Sequence, residues 1–348
     1  MEAASPIGEG SDKRSLCAKL YAFGFPPDLR VEPQDSRPLG KKEVRVEMFF
    51  SPINPADINI LEGKYGLQPE LPSRIGNEGI GRVVEIGEAV GGVRVGDFAL
   101  PLNRQAWANH LVAATEKMIF LDQESYAGID LQQLAMLSVN PLTAYAMLTT
   151  KDELKRGDWI VQNAANSGVG RSVIQIASLL GFRTLNIVRR KELVKELYEL
   201  GADVVTTEET DLRKEIKNLT AGHRAKLALN AVGGASALNL ANALVPGSRH
   251  LTYGAMGRQA LKIPNGLLLF QQLRFEGFWM TPWLEKRSSK ERNALFQKLA
   301  TWVKEEKLVQ PIHSIYALEN LSEAVKAAYA EQRKGKILLD LQKTKSDY

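Results

Sequence analysis

The chain has 348 residues, 44% of them hydrophobic and 24% charged, proportions of a globular protein long enough for two domains. Its single cysteine, Cys17, excludes an internal disulfide and any multi-cysteine metal site, and no run nears the roughly 18 apolar residues of a membrane span. The formal net charge of +5 is mild and scattered over faces such as Lys191 to Lys195 and Lys286 to Arg292, so nucleic-acid binding is not required, although anionic ligands are favoured.

Met1 to Ser15 is polar and carries Glu2, Glu9 and Asp12, unlike a secretory signal or an acid-poor transit peptide. A frayed tail and a cytoplasmic location are expected; a mitochondrial matrix would follow if a transit peptide had been removed. The first third then shows short strands, Val44 to Phe50 and Gly81 to Ile86, many Pro and Gly, and turns such as Val95-Gly-Asp97. This predicts an irregular β-rich domain. Within it Tyr65 lies between Gly63 and Gly66, where a flexible loop could carry a phenol. A phenol is protonated at neutral pH and can donate, but a Tyr between glycines is also an ordinary loop residue.

From Ser138 to about Pro311 short β-rich runs alternate with helical segments, as in a parallel sheet covered on both faces. Six strands are predicted: Trp159 to Asn163, Thr184 to Val188, Val204 to Thr207, Leu227 to Ala231, His250 to Tyr253, and Arg274 to Trp279. Gly181, Gly201 and Gly247 read as helix stops. The result is an α/β domain with a six-stranded doubly wound sheet.

The first of these strands enters Asn163-Ala-Ala-Asn-Ser-Gly-Val-Gly170 and then an amphipathic helix through Leu180. Ala165, Ser167, Gly168 and Gly170 leave the turn nearly free of side chains, so backbone N–H groups and a helix N-terminus can face a pyrophosphate. As a variant of G-x-G-x-x-G keeping only the last glycine, the turn alone is weak evidence. The next strand ends at Arg189, Arg190 and Lys191, where an NAD-preferring site would place an acid on the ribose 2′-hydroxyl. A basic cluster there pairs with a 2′-phosphate, which predicts NADPH; the same residues would also begin a solvated helix. The tail offers one helix, Leu318 to Ala330, and a strand, Lys336 to Leu341, expected to return to the first domain. The domains are thus 1–138 with 312–348, and 139–311.

The β-rich start, Gly76-Asn-Glu-Gly-Ile-Gly81, Val95-Gly-Asp97 and the dinucleotide loop together resemble the medium-chain dehydrogenases/reductases, from Arg14 to Leu341. Ser51-Pro-Ile-Asn-Pro-Ala-Asp-Ile-Asn59, Gly63-Lys-Tyr-Gly66, Pro69-Glu-Leu-Pro72, Val139-Asn-Pro141 and Gly277-Phe-Trp279 are most similar to the 2-enoyl thioester reductases of mitochondrial fatty-acid synthesis. The resemblance implies a GroES-like catalytic domain, a Rossmann domain, and NADPH-dependent reduction of the 2,3 double bond of an enoyl-acyl-carrier protein or enoyl-coenzyme A. It implies Tyr65 as proton donor and a homodimer joined through the sixth strands.

For the cofactor it implies Asn140, the loop Asn166, Ser167, Gly168, Val169 and Gly170, the basic group, Tyr253, Gly254, Ala255 and Met256, Phe278, Trp279 and Met280, and Lys336. By residue type alone Asn140 would equally cap a helix, and Asp57 fits a structural turn network better. Where zinc-dependent relatives carry Cys, His and Cys, this sequence offers Asn54, Asn77 and Asn140, poor zinc ligands. The loop Leu102-Asn-Arg-Gln-Ala-Trp107 departs from the resembled pattern by being shorter, which leaves acyl-chain preference open. Two other readings stay open: a zinc-free NADPH:quinone oxidoreductase, and a non-catalytic NADPH- or RNA-binding protein.

Overall fold

A computed structural model describes residues 15–151, 154–330 and 333–344. The chain forms two compact units, Met1–Ala127 with Ile312–Tyr348, and Gly128–Pro311.

The first unit is built on a seven-stranded sheet. Its order is Ile312–Ala317, Lys336–Asp340, Glu43–Ile53, Ile80–Ile86, Phe98–Pro101 and Met118–Leu121, with His110–Ala114 also paired to Glu43–Ile53. Val44, Val46 and Met48 alternate onto the core with no exposed surface, the period of two that marks a half-buried strand. The tail strand Lys336–Asp340 runs parallel to Ile312–Ala317 and antiparallel to Glu43–Ile53, placing Ile337 opposite Ile53. A three-stranded sheet, ordered Asp28–Pro33, Leu16–Ala22 and Ser73–Arg74, completes the β-structure of this unit. The tail helix is divided into a 3-10 turn, Leu318–Asn320, and the α-helix Leu321–Tyr329.

In the second unit six parallel strands are ordered Val204–Thr207, Arg183–Val188, Trp159–Gln162, Ala225–Asn230, Leu244–Thr252 and Arg274–Gly277. This is the doubly wound order with its switch point beside Trp159–Gln162, where open α/β sheets bind ligands at strand carboxyl ends. Gly181 stops the helix Gly168–Leu180 in a left-handed conformation, φ 79°. Gly247 does not stop a helix. The helix Gly234–Ala241 ends earlier, and Pro246 and Gly247 lie inside Leu244–Thr252, at a register shift that interrupts the apolar run. The unit also begins before Val139, with Leu131–Ala135 included. The reason is local: the Gln133 side chain donates to Gln310 O at 3.0 Å and accepts from Gln310 N at 2.8 Å.

Candidate functional site

In the first unit the polar residues gather where the helix Pro55–Leu61 leaves the strand Glu43–Ile53. Asp57 is 2% exposed and accepts from Asn54 N at 2.8 Å, Asn77 N at 2.9 Å and Asn77 Nδ2 at 2.7 Å. Its role is to tie two loops. Burial raises its carboxyl pKa to about 6, against the pull of the backbone N–H groups of Asn54 and Asn77 and of the Lys336 charge. Asn54 Nδ2 donates to Glu78 Oε1 at 2.7 Å, and the Lys336 ammonium donates to Asn54 Oδ1. Lys336 is 6% exposed, and burial lowers its pKa to about 8 while Glu78 opposes the fall. Glu78 is fully buried and was not singled out in the sequence; its signal was an acid inside a glycine-rich run, Gly76 to Gly81.

Tyr65 follows this helix on the loop the glycines suggested. Its N–H donates to Asn59 O at 3.1 Å and its carbonyl accepts from Gln68 Nε2 at 2.8 Å. Gly63 has φ 70°, and a Cβ there would meet Phe23 at 3.1 Å, so both conformation and space call for glycine. The Arg104 guanidinium lies 5.3 Å from the centroid of the half-buried Tyr65 ring.

In the second unit Ser167 caps Gly168–Leu180, its hydroxyl accepting from Gly170 N at 3.1 Å. A Cβ on Gly170 would stand 2.6 Å from Ala165 O, and one on Gly168 2.9 Å from the Asn140 side chain. The turn is therefore closed to larger residues, and with Ser167 capping Gly170 N its small residues leave the backbone at Gly168 and Val169 open to close approach, which fits a dinucleotide pyrophosphate. Asn140 is not a cap: it is the first residue of Asn140–Thr149, 4% exposed, with its side chain against Gly168. Asn166 sits in the turn, its carbonyl accepting from Arg171 Nε at 3.2 Å. Val169 is the second residue of the helix.

Arg189 and Arg190 follow the strand Arg183–Val188, and Lys191 starts a short 3-10 turn, so the basic group stands at a strand's carboxyl end. Arg190 pairs with Glu192 at 3.5 Å, in part the solvated reading. The segment from Tyr253 to Met256 lies along the end of Ala225–Asn230, with Tyr253 N on Asn230 O at 3.0 Å and Met256 N on Ala231 O at 2.8 Å. Burial raises the Tyr253 phenol, opposed by the Ser167 hydroxyl. Gly254 and Ala255 lie between them, a Cβ on Gly254 meeting Ala231 O at 3.0 Å. Phe278 N donates to Thr252 O at 2.9 Å; Trp279, 40% exposed, and Met280 begin the helix Met280–Glu285.

Two networks were missed in the sequence. Asn163 Nδ2 donates to Asn230 Oδ1 and to Ser236 Oγ, both at 2.9 Å, and Ser236 reaches Glu208 at 3.0 Å. Gln310 Nε2 donates to Gly168 O at 3.0 Å and Ser172 Oγ at 2.7 Å, holding the first turn of the loop helix. Polar residues closing apolar strands, as in Gln162-Asn163, were the available signal for the first; the second had none.

Residues 40–118 match the alcohol dehydrogenase GroES-like domain and 168–299 the zinc-binding dehydrogenase domain. The human mitochondrial enoyl-[acyl-carrier-protein] reductase is 40% identical over 335 residues, 94% of this chain and 89% of that protein. The chain belongs to the enoyl-[acyl-carrier-protein] reductase family, within the medium-chain dehydrogenases/reductases. Among solved structures, the mitochondrial 2-enoyl thioester reductase heterodimer of Candida tropicalis has a TM-score of 0.83 at 30% identity, over 94% of this chain and 99% of that one. One of its subunits is also known in complex with NADP and crotonyl-CoA, at a TM-score of 0.82. A Bacillus thuringiensis chain given the provisional name NADPH:quinone reductase has a TM-score of 0.86 at 28% identity, over 94% and 99%.

The zinc in the name of the second domain does not fit the residues present. Asn54 carries a carboxylate on its amide and an ammonium on its oxygen, and Asn77 is bonded to Asp57. A cation at Asn54 repels a second one, and neutral amides are weak zinc donors. Among the described residues, no three His, Cys, Asp or Glu are grouped to hold a metal.

Proposed function

We propose that this enoyl reductase family member is an NADPH-dependent oxidoreductase that reduces the 2,3 double bond of trans-2-enoyl thioesters, with Tyr65 as proton donor. The observation that carries the reading is Tyr65 itself, a phenol on a glycine-bounded loop at the position where the resembled reductases hold their donor. NADPH, when bound, supplies the hydride for the β-carbon.

The chain's own residues do the rest. The first helical turn, capped by Ser167 at Gly170 N, offers the N–H groups of Gly168 and Val169 to the pyrophosphate, with Asn166 beside them. Arg189, Arg190 and Lys191 pair with the 2′-phosphate, whose charge an acid in their place would repel. Asn140, Tyr253 to Met256, Phe278 to Met280, and Lys336 are assigned to the cofactor by family position. The phenol proton of Tyr65 passes to the α-carbon: the O–H bond breaks, a C–H bond forms, and the electron pair stays on the phenolate until water reprotonates it.

Candida's complex with crotonyl-CoA supports a coenzyme-A thioester as substrate, and the relatives' names an acyl-carrier-protein thioester. The names also favour the mitochondrial location over the cytoplasmic one. A homodimer through the edge strand Arg274–Gly277 is supported by the exposed Leu269 and Phe270 that precede it. Phe270→Glu would then shift sedimentation toward the monomer; an unchanged mass would remove that edge from the assembly. A second reading, quinone reduction, rests on the Bacillus match. Oxidation of NADPH at 340 nm with crotonyl-coenzyme A tests the first: turnover that prefers NADPH to NADH is expected, and its absence beside quinone turnover would install the second.

A further inference from the structure

The loop Leu102-Asn-Arg-Gln-Ala-Trp107 brings a cation to the proposed donor. Arg104 has φ 56°, a left-handed conformation that L side chains rarely adopt. The loop is nevertheless held in place: Ala106 N and Trp107 N donate to Gly76 O and Ile75 O, both at 3.0 Å, and Trp107 is fully buried. Tyr65 is likewise fixed through its backbone to Asn59 and Gln68. Between these two anchored segments the Arg104 guanidinium meets the Tyr65 ring at 5.3 Å, inside the roughly 6 Å range of a cation–π contact.

We propose that Arg104 is a positioning residue for proton delivery, its guanidinium setting the direction of the Tyr65 phenol and supporting the negative charge left on the phenolate. This rests on Tyr65 being the donor. A neutral ring attracts the cation through its quadrupole, and a phenolate attracts it more strongly, so the contact is tighter after proton transfer than before. Interactions that strengthen along the reaction raise kcat, whereas one made equally with bound substrate would act on KM alone.

The test uses Arg104→Gln and Arg104→Lys, each alone and with Tyr65→Phe, measuring kcat and KM for NADPH and crotonyl-coenzyme A. R104Q is expected to lower kcat about tenfold, a loss between those of exposed and fully desolvated cation–π contacts, with both KM values within about twofold. R104K keeps a cation and should recover part of the loss, a rescue that a purely structural arginine would not give. On the Tyr65→Phe background R104Q should add less than about a twofold loss, because the proton it serves is gone.

An R104Q enzyme with wild-type kcat would overturn the proposal. So would equal losses on both backgrounds, or a raised KM for crotonyl-coenzyme A at unchanged kcat, which would make Arg104 a binder of the carrier's phosphates. Should R104Q fail to fold, the comparison of R104K with wild type decides: an unchanged kcat with KM raised counts against the proposal, and a lowered kcat at unchanged KM supports it. Wild-type turnover in Tyr65→Phe alone would instead sink the donor assignment, a result read independently of Arg104.

Discussion

The Lys336 ammonium donates to Asn54 Oδ1, joining the returning strand to the head of the helix Pro55–Leu61 across 282 residues of sequence. The contact brings a buried cation to an amide whose other end holds the buried Glu78. Lys336→Met removes the cation and leaves Glu78 and Asn54 buried beside an apolar chain. We expect a net destabilisation, read as a lower urea midpoint at unchanged slope, because the buried Glu78 keeps its charge and loses the Lys336 ammonium. A midpoint equal to wild type would show that the ammonium is not needed by the cluster.

Asp57 makes stability depend on pH in a direction opposite to that of most carboxylates. Burial raises its folded pKa to about 6, above the ordinary value of 3.8, so between those values the folded state binds more protons than the unfolded one. Its contribution is therefore greatest below pH 3.8 and is lost as pH rises through about 6. Comparing unfolding free energies at the two ends, wild type should lose on the order of 1–3 kcal/mol relative to Asp57→Asn on going from acid to neutral. Parallel pH profiles for the two proteins would contradict the shift.

Arg189 and Arg190 should decide between the two nicotinamide cofactors. Their double replacement by Ala removes charge-assisted contacts to a 2′-phosphate that NADH lacks. KM for NADPH should rise about 10- to 100-fold while KM for NADH stays within about twofold. Equal changes for both would return the pair to the solvated surface, where Arg190 already contacts Glu192.

The parallel sheet was legible because its strands are buried on both faces and read as apolar runs between glycine stops. Val161, Leu185, Ala228 and Leu251 have at most 1% exposed surface. Leu244–Thr252 was misjudged at its start because Pro246 and Gly247 look like turn residues, although a bulged strand tolerates them. The small-residue turn before Gly170 was equally legible as a turn, since close backbone approach leaves few residue types. Contacts between residues far apart in sequence were not: nothing in the order of residues pairs Lys336 with Asn54, Gln310 with Gly168, or Arg104 with Tyr65. Such pairings are set by strand register and loop course, and single residues carry no mark of them.

The central claim is tested most directly by Tyr65→Phe, assayed for NADPH oxidation with crotonyl-coenzyme A and, in parallel, with a quinone. Removing the phenol hydroxyl takes away the proton for the α-carbon and leaves hydride transfer to a quinone intact. The account predicts a loss of enoyl thioester reduction of about 10²- to 10⁴-fold with quinone reduction nearly unchanged. Enoyl reduction at the wild-type rate in Tyr65→Phe, with NADPH bound as before, would contradict it.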